Sequence, residues 1–139
     1  MRFRPRVLIQ SVLPREMPRR YLSFTEAHAA FRRGKAVEVF LGGFLLSGSH
    51  GIRWVQIRGL PNGCELHLYE TADLGSEDYT DVYEFGPLDP ELEQYEANEV
   101  PTFASFEECL KTLETRWPSA PSRLTNEFMV QDEYADYLR

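Results

Sequence analysis

The sequence predicts an α+β domain: an antiparallel meander sheet of about four to five strands with two main helices packed on one face. Three observations lead there. Two segments carry helical spacing behind a capping box, the stretch between them alternates apolar and polar residues, and the clearest turn is short enough for a hairpin. Short hairpins join antiparallel strands, whereas parallel strands need long crossovers. At 139 residues, with no Pro/Gly/Ser linker and no internal repeat, the chain reads as one domain over residues 1–139.

The first element is an edge strand expected over Arg4 to Val12, with Pro5 near its start. Pro14 to Arg20 then reads as a connection. Ser23 and Glu26 have capping-box spacing, and Phe24, Ala27, His28 and Phe31 follow on one helical face. Gly34 supplies the stop, next to Arg32, Arg33 and Lys35, where the negative end of the helix dipole favours cations.

Val37, Val39 and Leu41 alternate with Glu38 and Phe40, as a strand requires. Phe44-Leu45-Leu46 lies between Gly42-Gly43 and the run Ser47 to Gly51, and reads as a short strand or a wide hairpin loop. In the next strand Ile52, Trp54 and Gln56 oppose Arg53, Val55 and Ile57. Leu60-Pro61-Asn62-Gly63 is the turn, with Asn-Gly expected to take up positive φ. It should pair Ile52–Gly59 with Cys64–Thr71, where Leu66 and Leu68 face one way and Glu65, His67 and Tyr69 the other. Tyr79 to Phe85 reads as a further aromatic-rich strand, Leu88 to Asn98 as an acidic loop or helical turn, and Val100 to Phe103 as a short strand.

Ser105 and Glu108 open the second helix with capping-box spacing. Its apolar face is Phe106, Cys109, Leu110, Leu113 and Trp117, and Pro118 ends it. Residues 121–139 carry Leu124, Phe128, Met129, Tyr134, Tyr137 and Leu138 at broadly helical spacing and should dock on the sheet. With both helices on one face, the other face is expected to be partly wet. It would show Arg53, Glu65, His67, Tyr69, Asp81 and Tyr83.

Composition excludes several classes. Two cysteines are too few for a secreted disulfide scaffold, and no run of apolar residues resembles a signal h-region or the roughly 20 residues of a membrane span. A reducing, cytoplasmic setting is the expectation. The histidines and cysteines lack zinc-ligand spacing; Cys64 and His67, three apart on a strand, point to opposite faces. Asp73 to Glu84 has carboxylates in a loose calcium-loop pattern, but Asp78 stands where that loop needs glycine. Ser47 to Gly51 fits none of the phosphate-loop or nucleophile-elbow motifs. No metal, cofactor or catalytic residue is assigned.

Charge is the most distinctive feature. The net charge is −7, yet residues 1–70 hold eleven Arg/Lys against five Asp/Glu, and residues 71–139 hold four against seventeen. Ten acids and no base lie from Asp73 to Glu99. Early arginines could attract phosphate, but an isoelectric point near 5.0 and the lack of nucleic-acid-binding signatures argue against a nucleic acid partner. The acids are instead interleaved with rings. The expectation is therefore a non-enzymatic binding protein whose surface of Asp78, Tyr79, Asp81, Tyr83, Glu84, Asp89, Glu91, Glu93 and Tyr95 engages a basic protein partner. Small acidic inhibitor and immunity proteins work this way, an analogy of composition alone. Two alternatives stand beside it. One is an enzyme or ligand-binding domain with an acid–base cluster of Glu65, His67 and Asp81 on the open sheet face. The other is a subunit that self-associates through a strand edge.

Overall fold

The computed structural model describes residues 20–139, so the strand expected over Arg4 to Val12 lies outside the described residues. Helix α1 is Phe24–Arg32, followed by the strands β1 (Val37–Leu46), β2 (Ser49–Leu60) and β3 (Gly63–Ala72). Next come a one-turn 3-10 helix over Val82–Glu84, strand β4 (Thr102–Phe103) and helix α2 (Phe106–Arg116). A 3-10 segment over Ala120–Arg123, strand β5 (Thr125–Asn126) and helix α3 (Val130–Tyr137) complete the chain. The five strands form one antiparallel sheet in the order β4-β3-β2-β1-β5. The protein is thus an α+β fold with a meander at its centre.

The helix boundaries follow from their caps. Ser23 accepts from the Glu26 N–H, and the Glu26 carboxylate accepts from the Ser23 N–H, which satisfies two donors that the first turn leaves open. Gly34, at φ 85°, lets the chain leave α1 while Lys35 N–H bonds back to the Ala30 carbonyl. At α2, Ser105 accepts from Glu108 N–H, but Glu108 reaches the N–H of Ala104, so this box is closed one residue early.

Both hairpins are closed by two residues. β1 and β2 are joined by Ser47 and Gly48 alone, at φ 52° and 83°. Positive φ at both positions gives the turn whose twist matches the strands. Of the two readings of Phe44-Leu45-Leu46 the strand is the one formed, as the end of β1, and Ser49, His50 and Gly51 already belong to β2. In the second hairpin Leu60 pairs with Gly63, so Pro61 and Asn62 are the central residues of the expected Leu60–Gly63 turn, and of Asn62 and Gly63 only Gly63 takes positive φ, at 151°. Pro61 presets the turn, while Gly63 leaves room for the Phe103 carbonyl of β4, which a side chain would strike.

The register separates the two sheet faces. Val37, Val39, Val55, Ile57, Leu66 and Leu68 lie in one buried cluster with Ala27 of α1 and Phe106, Cys109, Leu110 and Leu113 of α2. Phe40, Ile52, Trp54 and Tyr69 lie in a second cluster with Val82, Phe85, Val130 and Tyr134. The second face is therefore not the wet one that the alternation implied. The segment after β3 and helix α3 cover it, because its strand residues are large rings that need burial. Arg53 is also reassigned. It sits among the helix-side residues, bonded to Glu70 at 2.7 Å with its guanidinium over Phe44 and near Trp117.

The segment after β3 has little regular structure. Tyr79 to Phe85, expected as a strand, holds an isolated bridge from Tyr79 to Ser76 and the 3-10 turn, capped by Asp81, whose carboxylate accepts from Tyr83 N–H. A strand would have placed Val82 and Phe85 on opposite faces; the turn lets both enter the second cluster. The chain then follows the outer edge of β3. Ala72 and Leu88 N–H bond to Gly86 and Glu70 carbonyls, and Asn98 N–H bonds to Leu68 carbonyl. These bonds use the edge groups that would otherwise be open to another strand.

Candidate functional site

Residues 73–99 form both the acidic surface and the roof of the second sheet face. The acidic surface is built by turns. Asp89 accepts from Glu91 N–H, Glu96 accepts from Glu93 N–H, and Tyr95 donates to Glu84 at 3.2 Å. Tyr95 stands at φ 70° and is 63% exposed; Tyr79 is 42% exposed with its ring edge on Phe85. The bond to Glu84 holds the Tyr95 phenol above its ordinary pKa. Among the described residues, Glu99 is the one carboxylate of 73–99 in an ion pair, with Arg116 at 2.9 Å. Asp78, Glu84, Glu91 and Glu93 are exposed.

The structure divides the expected site residues into two groups. Asp78, Tyr79, Glu84, Asp89, Glu91, Glu93 and Tyr95 lie on the outer side of the segment or in its turns. Tyr83 turns inward. It is half-buried, meets Trp54 edge-on at a centroid distance of 5.1 Å, and donates to Glu38 at 2.7 Å. Burial, followed by the nearby Glu38 charge, pushes its phenol well above the ordinary value. The acid–base cluster forms in part. His67 Nε2 lies 2.8 Å from Glu65, its ring beside Tyr69, while Asp81 is engaged in capping the 3-10 turn.

Beneath this roof lies a polar chain that strand alternation places on one face but sequence alone does not join. Arg58 donates to Gln56, Gln56 donates to Glu38 at 2.6 Å, and Glu38 also accepts from Tyr83 and from the Phe128 N–H at 2.9 Å. Glu38 is fully buried. Burial raises its carboxyl pKa, against three hydrogen bonds that favour the charged form. The alternation places it on the side opposite Val37 and Val39 and says nothing of its burial. The signal that could have identified it is its register opposite Gln56 and His67, a polar row crossing three strands.

Next to that row is a cavity of about 180 Å3. Trp54, Tyr69, Tyr83, Phe85 and Tyr95 supply its rings, with Arg58 and Glu96 among the lining residues. Trp54 stacks on Tyr69 with centroids 4.3 Å apart and planes 18° apart. Two lining residues carry buried polar atoms without a hydrogen-bond partner: the Trp54 indole N–H and the Thr71 hydroxyl. Both atoms are shielded from solvent within the walls of the cavity.

The fold and site define an α+β protein with an acidic loop closing an aromatic, polar-lined cavity. Compared with protein-family models, with curated proteins and with solved structures, the chain finds no match in any of the three. Among the described residues, no cluster of three potential metal ligands occurs, and no helix is long and apolar enough to cross a membrane.

Proposed function

We propose that this protein is a binding module that presents the acidic, aromatic-bearing segment 77–96 to a basic protein partner. The observation that carries the reading is the state of the carboxylates. Among the described residues, those from Glu77 to Glu96 have no ion pair, while Arg20, Arg53, Arg116, Arg123 and Arg139 are paired elsewhere. Unpaired charges of one sign steer an oppositely charged partner and speed encounter. Tyr79 and Tyr95, the exposed rings within the strip, supply the aromatic anchors that interfaces favour. A cytoplasmic setting fits this reading, since Cys64 and Cys109 are free thiols within one buried cluster.

The test is a triple charge reversal at Asp78, Glu91 and Glu93, whose side chains make no hydrogen bond or ion pair among the described residues and whose change should leave the fold intact. Wild-type protein is used to capture partners from its native extract at about 0.1 M salt, where screening is modest. The expected partners are basic proteins, released as salt rises and lost with the Asp78→Lys/Glu91→Lys/Glu93→Lys variant. Retention of the same partners by a variant with unchanged circular dichroism would remove the proposal.

A further inference from the structure

We infer that the outer edge of β1 is a strand-accepting groove and that its occupant is this chain's own segment Arg4 to Val12. This edge and the acidic segment lie at opposite sides of the sheet, so the inference rests on different atoms from the partner surface.

The two long edges of the meander are treated differently. On β3 the outer groups are taken up by the chain that follows: Leu66, Leu68 and Ala72 N–H bond to the Pro101, Glu99 and Gly86 carbonyls. On β1, strand β5 pairs only with Val37 and Glu38. From Gly42 to Leu46 the strand keeps its register with β2 on the inner side, and among the described residues no backbone group bonds to its outer side. A bare edge is ordinarily protected by a charge or a proline that keeps other strands away. Gly42 to Leu46 carries neither, and Leu45 and Leu46 are exposed.

The surroundings of the edge select its occupant. Leu41 and Gly42 line a groove of about 470 Å3 with Trp117, which caps α2, and Tyr137 of α3. Tyr21 lines the same groove, so the chain upstream of it starts there. That entry is pinned. Arg20 donates to Glu133 at 2.7 Å and to Asp136 at 2.6 Å, the Tyr21 hydroxyl donates to Glu133, and Leu22 N–H bonds to the Leu124 carbonyl. Upstream, Val7-Leu8-Ile9 is the longest apolar run, its β-branched residues suit a strand, and Pro5 is tolerated near the start of an edge strand. The connection Leu13 to Arg19 can span about 23 Å, whereas the edge from Gly42 to Leu46 is about 17 Å long. The segment therefore reaches the whole edge. Tethering gives it an effective concentration in the millimolar range, which a free peptide or a second copy at micromolar concentration does not match.

NMR of the labelled full chain tests the assignment directly. Cross-strand NOEs should connect Val7 to Val12 with Gly42 to Leu46. In Leu8→Pro/Ile9→Pro one of the two lost donors faces β1 in either register. The outward amides of the edge should exchange about tenfold faster in that variant, the step of roughly one hydrogen bond, with exchange in α2 unchanged as the check on folding. A synthetic peptide of residues 4–12 should shift the Trp117 indole N–H resonance of the proline variant saturably and leave the wild type, whose groove is filled, unmoved. The triple charge-reversal variant should show the wild-type NOEs, which separates this groove from the partner surface. Absence of the NOEs in a wild type that light scattering shows to be monomeric would mean an open edge and would overturn the inference. So would peptide binding to wild type and variant alike. NOEs between labelled and unlabelled chains, with a dimer mass, would make the occupant a second copy and would overturn it as well.

Discussion

The two faces of the sheet bury similar numbers of strand residues by different chemistry. The helix side uses Val37, Val39, Val55, Ile57, Leu66 and Leu68, which carry no polar atoms and ask only for close packing. The opposite side uses Phe40, Trp54 and Tyr69 together with Glu38, Gln56 and His67, whose polar tips each require a partner. Regular helices can cover the first face because apolar surface is indifferent to the geometry of what lies on it. The second is met by helix α3 and by irregular chain, and it is the irregular chain that brings a backbone N–H at Phe128 and a hydroxyl at Tyr83 to one carboxylate. The directional partners on this face thus come from segments free to supply them.

The sharpest way to break this contrast is to cut into the helix side. Leu68→Ala removes a fully buried side chain from the first cluster and should destabilise the protein by about 3 kcal/mol, read by urea denaturation. Removal of hydrogen bonding on the other face should cost less but carry a pH signature. Glu38→Gln leaves the Gln56 amide facing a second amide donor and should cost about 2 kcal/mol. The wild-type carboxyl has a raised folded-state pKa, so folding favours its protonated form. That contribution is fully present below the unfolded-state pKa and is lost as pH rises through the folded value. Relative to Glu38→Gln, the wild type should therefore lose stability from the ordinary carboxyl range upward, and parallel denaturation midpoints across that range would refute it. The smallest effect should come from Tyr134→Phe. The ring keeps its packing against Phe40 and Phe85, while the hydroxyl loses Asp73 and the Gly75 N–H. A loss of about 1 kcal/mol in thermal or urea unfolding is expected.

The helix side was legible in the sequence because periodicity and capping are local. Ser23 with Glu26, Ser105 with Glu108, and the alternation through Val55 and Leu66 each lie within a few residues of one another. The other face was not, because its partners are distant in the chain. Glu38 finds Tyr83 and Phe128, 45 and 90 residues away. Tyr79 to Phe85 carried the ring content of a strand, yet the ring positions serve a turn that points Val82 and Phe85 the same way. The cavity was invisible for the same reason: the outward side of Trp54 and Tyr69 was readable from alternation, but the segment that closes over them was not. The acidic strip was visible as composition, while the inward turn of Tyr83 depended on tertiary structure.

Gly75 holds a consequence for the whole second face. An added methyl there would meet the buried ring of Tyr134 and, at 2.6 Å, the Tyr79 carbonyl, neither of which can swing aside. The notch left by one missing side chain is therefore where the C-terminal helix is keyed to the acidic segment. Any residue but glycine at that point would lift the roof and the tail together, and the chamber under them would lose its lid.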